Sequence, residues 1–221
     1  FLCSCGAHIS GADSGEITVC GVKKLHSAEH TVIPDRIIAS TYMAAASVTG
    51  GDVRILDTRA EHITPVIPVF EQAGCKVDCG ENSVHISAPV RLRSVQTVRT
   101  MPYPGFPTDS QAAVMAMLSV AHGTSVMIEN IFENRYRHVR ELCRLGADIM
   151  TEGKVAVIKG VETLTGACVC AADLRAGTAL AVAGLAAQGS TIIENVSLID
   201  RGWQDMEEKL RSLGAEIERE S

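Results

Sequence analysis

Gly146-Ala147-Asp148-Ile149 has three counterparts along the 221-residue chain: Gly6-Ala7-His8-Ile9, Gly74-Cys75-Lys76-Val77 and Gly214-Ala215-Glu216-Ile217. The four glycines stand 68, 72 and 68 residues apart. That period is too long for a solenoid and fits a small βα unit used three times. The segments between the tetrads repeat as well. A short β-branched run follows each of the first three, at Ile17-Thr18-Val19, Val84-His85-Ile86 and Val155-Ala156-Val157-Ile158. Next come small apolar residues of helical character, at 37–48, 112–121 and 176–187, each running to glycine at Gly50-Gly51, Gly123 or Gly189, where a helix C-cap is expected. A second strand follows (Val53-Arg54-Ile55-Leu56, Ser125-Val126-Met127-Ile128, Thr191-Ile192-Ile193), then a second helix. Its buried stripe is Val139, Leu142 and Leu145 in the second unit, and Trp203, Met206, Leu210 and Leu213 in the third. In the first unit Pro65 and Pro68 predict a late start or a bend.

One such unit is too small to bury two helices, whereas three together can. The first helices, rich in Ala, Gly and Ser, suit close approach in a crowded interior, and the second ones carry charges such as Glu207, Glu208, Lys209 and Arg211. The pattern predicts an α/β architecture with one helix of each unit inside, one outside, and strands making the wall. Residues 1–5 read as the tail of a helix begun upstream, and the first residue is not Met, so the polypeptide is expected to continue upstream.

Composition sets outer bounds. A chain that is 46% hydrophobic and 21% charged is globular, and a net charge of -6 argues against a polyanion-binding surface, so no nucleic acid partner is expected. No apolar run approaches the roughly 20 residues that span a bilayer, and the first residues lack the pattern of a secretory signal. The expected compartment is the cytoplasm, with no membrane partner. The eight cysteines include the close pairs Cys3/Cys5, Cys75/Cys79 and Cys168/Cys170, none with Cys-x-x-Cys spacing. No metal is expected, and the thiols read as small buried hydrophobes.

Three predicted helix starts place an Asp before an Arg: Asp35-Arg36, Asp173-Leu174-Arg175 and Asp200-Arg201. The Asp has a local reason, since it caps the helix for about 0.5–2 kcal/mol. The Arg has none, because a cation in the first turn opposes the helix macrodipole at a cost of about 0.3–1 kcal/mol. Each Arg is either a long surface charge reaching water or a ligand for an anion, since helix N-termini and guanidinium groups both favour phosphate and carboxylate. The second unit departs from the pattern. Asp109 stands 14 residues before Gly123, as Arg175 stands 14 before Gly189, so an acid replaces a base. Asp109 is either a cap or a group that orients and deprotonates a hydroxyl beside a basic pocket. Glu133-Asn134-Arg135 reads as a further charged helix start, its Arg135 either pairing with Asp109 or standing as a surface charge.

The strings Phe106-Pro107-Thr108-Asp109-Ser110-Gln111-Ala112, Phe132-Glu133-Asn134-Arg135-Tyr136-Arg137-His138-Val139, Asp173-Leu174-Arg175-Ala176 and Ile199-Asp200-Arg201-Gly202 resemble the UDP-N-acetylglucosamine 1-carboxyvinyltransferases of the enolpyruvyl transferase family. The resemblance runs the length of the chain and covers about the second half of that family's length. It implies an inside-out α/β barrel of βαβαββ units in each of two lobes, with residues 1–34 a remnant of the first (sugar-nucleotide and cysteine-loop) lobe and 35–221 the second. It implies transfer of the enolpyruvyl group of phosphoenolpyruvate to the 3-hydroxyl of UDP-N-acetylglucosamine, the first committed step of peptidoglycan synthesis, with no metal or other cofactor.

Residue by residue, the resemblance makes Asp109 the carboxylate that contacts the sugar hydroxyl and removes its proton, and Ile131 a nucleotide-sugar contact. Arg175 and Arg201 match arginines that bind phosphoenolpyruvate, Arg135 a motif arginine near the sugar site, and Asp35 with Arg36 the inter-lobe hinge. The family's reactive cysteine loop and early Lys-Asn pair have no counterpart here, so the missing N-terminal lobe is the implied partner and the chain alone is expected to be inactive. Ala113, Tyr136 and Pro68 depart from the usual motif residues. The rival readings are a 5-enolpyruvylshikimate-3-phosphate synthase-type enzyme, which shares the fold but not these paired motifs, and a non-catalytic lobe that only binds a nucleotide sugar.

Overall fold

In the computed structural model of the chain, which describes residues 1–12 and 14–220, all four tetrad glycines lie in the left-handed region, with φ of 92°, 99°, 92° and 100°. Each closes a helical segment in the same way. Gly74 donates to Glu71 O at 2.9 Å and Cys75 to Phe70 O at 3.0 Å. The same two bonds join Gly146 to Cys143 and Ala147 to Leu142, Gly214 to Arg211 and Ala215 to Leu210, and Gly6 to Cys3 and Ala7 to Leu2. This is the Schellman closure, which satisfies the last helical carbonyls and needs a residue free to take positive φ. A Cβ built on Gly146 meets no heavy atom within 4 Å. Gly146→Ala should therefore cost only the left-handed strain, about 1–2 kcal/mol, seen as a lower urea midpoint with an unchanged slope.

The chain forms two compact units, Phe1–Pro34 and Asp35–Ser221. In the first, a 3-10 turn at Cys3–Cys5 is followed by the antiparallel hairpin β1 (His8–Ser10) and β2 (Thr18–Cys20).

The second unit contains three modules. The first comprises α1 (Arg36–Val48), β3 (Asp52–Leu56), α2 (Ala60–Ile63), α3 (Ile67–Gln72), β4 (Lys76–Cys79) and β5 (Ser83–Ser87), with an antiparallel sheet ordered β3-β5-β4. The second comprises β6 (Thr97–Arg99), α4 (Gln111–Leu118), β7 (Thr124–Ile128), α5 (Val139–Arg144), β8 (Asp148–Glu152) and β9 (Val155–Lys159), ordered β6-β7-β9-β8 and parallel only between β6 and β7. The third comprises β10 (Leu164–Thr165), β11 (Cys168–Cys170), α6 (Leu174–Ala186), β12 (Ala187–Gln188), β13 (Ile192–Glu194), α7 (Ser197–Asp200) and α8 (Met206–Ser212); its strands pair in parallel as β10-β12 and β11-β13.

The inner helices α1, α4 and α6 pack against one another. Every residue of α4 is buried. A helix that is apolar all round has no solvent face to offer, which is why these stretches show small residues rather than an amphipathic stripe. The outer helices α5 and α8 bury one side each, through Val139 and Leu142 and through Met206 and Leu210. The proline-containing outer helix of the first module is split into α2 and α3, with Pro68 in the first turn of α3, where its missing N–H costs nothing. Among the described residues no helix is long and apolar enough to cross a membrane.

Several expectations need correction. The tetrads themselves open strands (β1, β4 and β8), each of which hairpins back on the run that was expected. Gly50 does follow the cap of α1, but α4 ends five residues before Gly123, and α6 passes directly into β12 without a glycine stop at Gly189. Gly123, at φ 105°, instead admits the Ser94 hydroxyl, which would lie 2.4 Å from an added Cβ. Leu213 is 55% exposed because it is the C-cap of α8 and not part of its stripe. The thiols are mostly not buried: Cys5 and Cys75 are, whereas Cys3, Cys20, Cys79, Cys143 and Cys168 are exposed and Cys170 is intermediate. On β11 the buried position is Val169, so its flanking cysteines take the opposite face.

Candidate active site

Asp35 and Asp173 are the N-caps expected of them. Asp35 accepts from the N–H of Ile37 at 2.7 Å and of Ile38 at 3.3 Å, and Asp173 accepts from Ala176 N–H at 2.8 Å. Arg36 and Arg175 then occupy the first turns of α1 and α6, where the macrodipole disfavours a cation.

The compensation for Arg175 is visible. Asp109 sits in a 3-10 turn, Thr108–Ser110, that leads into α4, and among the described residues no backbone N–H donates to its side chain. It is not a cap. Its Oδ2 accepts from Arg175 Nη2 at 2.9 Å and its Oδ1 from Arg135 Nη2 at 2.5 Å. The two arginine side chains are 19–20% exposed and the Asp109 side chain 39%, so the acid reaches the surface between two largely covered cations. The open choice for Arg135 is settled as pairing. Its guanidinium also lies 5.0 Å from the Phe132 ring centroid, a cation–π contact that fixes its approach. The expected helix start at Glu133 is absent: the chain is irregular there and α5 begins only at Val139.

Beside Asp109 a shallow cleft opens, lined by Arg36, Ile37, Met101, Pro102, Tyr103, Pro107, Thr108 and Ile131. Arg36 stands with its guanidinium carbon 5.2 Å from the Tyr103 ring centroid. Arg36, Asp109 and Ile131 thus line one depression, and Asp109 in turn pairs with Arg135 and Arg175. Three guanidinium groups gather around the Asp109 carboxylate, with the buried Glu129 and the caps Asp35 and Asp173 as the other acids close by. Such a corner can take an anion on its arginines and a hydroxyl on its carboxylate.

Arg201 is the residue placed differently from expectation. Asp200 ends α7 rather than starting a helix, and Arg201 is the C-cap of that helix, where a cation is favoured. Asp200 accepts instead from Arg219, at 2.7 and 3.0 Å, and that pairing holds its carboxyl below the usual range. Arg201 is exposed and lines a second groove with Trp203, Lys209 and Arg219. The unfavourable-cation argument therefore does not apply to it.

The pattern of charges also missed residues. Tyr103 gave no signal beyond its place in a proline-rich loop. Glu129, directly after β7, is buried and holds the Asp109 turn through Thr108 at 2.9 Å. The Tyr136 hydroxyl lies 3.0 Å from both Met127 O and Lys154 O, which share its one proton, and burial pushes its phenol up to about 12. Its hydroxyl thus ties the Arg135 loop to β7.

The sequence profile of the family described as EPSP synthase (3-phosphoshikimate 1-carboxyvinyltransferase) matches residues 1–210. The chain belongs to this family. Among relatives of this EPSP synthase-family chain, UDP-N-acetylglucosamine 1-carboxyvinyltransferase 1 of Caldanaerobacter subterraneus subsp. tengcongensis is 51% identical over 219 residues, which are 99% of this chain and 52% of the relative. UDP-N-acetylglucosamine 1-carboxyvinyltransferase of Geotalea daltonii is 48% identical over 218 residues, again 99% and 52%. The chain spans about half the length of the curated relatives it matches. Among solved structures, the enolpyruvyl transferase NikO of Streptomyces tendae superposes with a TM-score of 0.83 at 28% identity, over 96% of this chain and 51% of that one. EPSP synthase of Acinetobacter baumannii superposes at 0.74 with 20% identity, over 96% and 53%, which speaks for the fold alone. The three-module α/β architecture of this chain is thus an enolpyruvyl transferase fold.

Proposed function

We propose that this chain supplies the second lobe of a cytoplasmic UDP-N-acetylglucosamine 1-carboxyvinyltransferase, which moves the enolpyruvyl group of phosphoenolpyruvate to the sugar 3-hydroxyl and releases phosphate in peptidoglycan synthesis. The observation that carries the reading is Asp109, held between Arg135 and Arg175 at the edge of a cleft that Arg36 and Ile131 also line. An anion entering beside Asp109 competes for the Arg175 guanidinium. Each such exchange frees Oδ2 for a hydroxyl, and a carboxylate that faces the 3-hydroxyl with one free oxygen takes its proton as the oxygen bonds to C2 of phosphoenolpyruvate and C3 gains a proton; loss of phosphate from C2 and of a proton from C3 then restores the double bond. Ile131 contributes to nucleotide-sugar binding, and Arg201 meets phosphoenolpyruvate only once the lobes close. Residues 1–34 belong to the first lobe in this reading, with Asp35 and Arg36 at the hinge.

The names of the relatives favour the nucleotide sugar over shikimate 3-phosphate as acceptor. The deciding assay is phosphate release by the complete two-lobed polypeptide with each acceptor; release with shikimate 3-phosphate and none with UDP-N-acetylglucosamine would reverse the assignment. The 221-residue chain alone should turn over neither substrate pair and bind UDP-N-acetylglucosamine only weakly, since its cleft has one wall. Measurable phosphate release by the purified chain would refute this.

A further inference from the structure

Glu129 is 1% exposed. Burying a carboxylate is costly unless its oxygens are fully satisfied, and a nearby cation is the usual remedy. Here, among the described residues, five hydrogen bonds replace it. Oε1 accepts from Thr100 Oγ1 at 2.9 Å, from the backbone N–H of Ile131 at 2.8 Å and from that of Phe132 at 3.0 Å. Oε2 accepts from Thr108 Oγ1 at 2.9 Å and from Gln111 Nε2 at 3.2 Å. One oxygen thus serves the strap through Ile131 while the other serves the turn that carries Asp109. Thr100 adds a third segment: its hydroxyl accepts from Asn130 N–H at 2.8 Å, and it roots the Tyr103 loop, which Met101 N–H closes on Phe106 O at 2.9 Å.

We infer that Glu129 is the positioning residue of the site, a single buried carboxylate from which the Tyr103 loop, the Asp109 turn and the Ile131 strap all hang. The inference rests on the reading of the Asp109 cleft as the functional site. Only an acceptor-only group with two oxygens can hold two adjacent backbone N–H groups on one side and two side-chain donors on the other. A consequence for specificity follows. The N–H groups of Ile131 and Phe132 are consumed by Glu129, and among the described residues no donor meets the Ile131 carbonyl. A ligand that hydrogen-bonds the Ile131 backbone therefore finds only its carbonyl and must present an N–H or O–H group to it.

The test is amide hydrogen exchange, followed by NMR on the 221-residue chain. Glu129→Asp withdraws the carboxylate by one methylene, so it cannot reach both segments. Exchange at Ile131 and Phe132 should rise roughly 10- to 100-fold, the worth of a hydrogen bond to a charged group, while Val126 in the neighbouring sheet is unchanged. Glu129→Gln should keep protection within about threefold of wild type, since one oxygen still faces the two amides. Its new NH₂ group finds acceptors in the Thr108 hydroxyl and in Gln111 Oε1, which is buried without a partner. Thr108→Val is the second cut and should raise exchange at Ser110, in the Asp109 turn, without touching Val126. Uniformly faster exchange in the Asp variant, Val126 included, would reduce Glu129 to a structural residue and overturn the inference, as would unchanged rates at Ile131 and Phe132. Titration with UDP-N-acetylglucosamine is read separately, on the complete two-lobed polypeptide: no binding there counts against the functional reading, whereas the exchange pattern still decides the role of Glu129.

Discussion

Asp109→Ala in the complete two-lobed polypeptide should lower kcat by about 10²–10⁴-fold, the usual worth of a general base, while moving stability by about 1 kcal/mol or less. The two halves of that expectation come from different features of the same side chain. Among the described residues no backbone N–H donates to Asp109, so no helix cap is lost with it. Its ion pairs with Arg135 and Arg175 involve a side chain 39% exposed, and pairs that solvent reaches contribute little. Asp109→Asn separates proton transfer from positioning, because it keeps an acceptor oxygen for one arginine but cannot take a proton. Turnover should fall nearly as far in Asn as in Ala, and phosphoenolpyruvate binding should hold or tighten as the arginines are released. A melting temperature that drops with kcat intact, in either variant, would make Asp109 a structural acid and remove the central group of the proposed mechanism.

The sequence made the modules legible because the tetrad glycines obey a backbone rule. Each must take φ near 90–100° to close a helix, so the same residue recurs wherever the same turn does. The strands those tetrads open were less legible, since Lys76 and Asp78 on β4 and Asp148 and Glu152 on β8 are exposed and polar. Reading Gly123 and Gly189 as helix stops failed for another reason: glycine serves close approach, as at Gly123, and positive φ in turns outside helices, as at Gly189, as well as capping, and a single chain does not say which.

The site divides along similar lines. Arg175 was legible as a cation in a place that needs a partner, and Asp109 is that partner, 66 residues away. Arg201 carried the same Asp-Arg signature, but α7 has only four residues, too few for periodicity to reveal that Asp200 closes a helix instead of opening one. Glu129 went unread because its partners are non-local: Thr100 is 29 residues back and Thr108 is 21. An acid at the end of an apolar strand looks like a solvated strand terminus until the fold surrounds it with donors.

Stability of the 221-residue chain should fall by about 3 kcal/mol between pH 6.5 and pH 4 on account of one residue, His138. It is 3% exposed, with Nε2 3.3 Å from Met115 Sδ of the fully buried α4, and sulfur is a weak acceptor that does little for a charged ring. Burial pushes its imidazole down to about 4; the Asp173 carboxylate works against this shift and the Arg135 guanidinium works with it. The sign follows from the direction of that shift. The unfolded chain takes the proton near pH 6.5, the folded chain only near 4, so in this window the unfolded state binds more protons and stability drops as pH falls. The contribution is complete about one pH unit above 6.5, and about one unit below 4 nothing further is lost. His138→Gln removes the titration while remaining neutral. The unfolding free energy of wild type relative to this variant, from urea melts at successive pH values, should decline by about 3 kcal/mol across the window, with the surface carboxylates cancelling in the difference. A difference that stays constant from pH 7 to pH 4.5 would mean that the folded ring accepts its proton at an ordinary pH. The interior between α4 and the Arg135 loop would then be open to water.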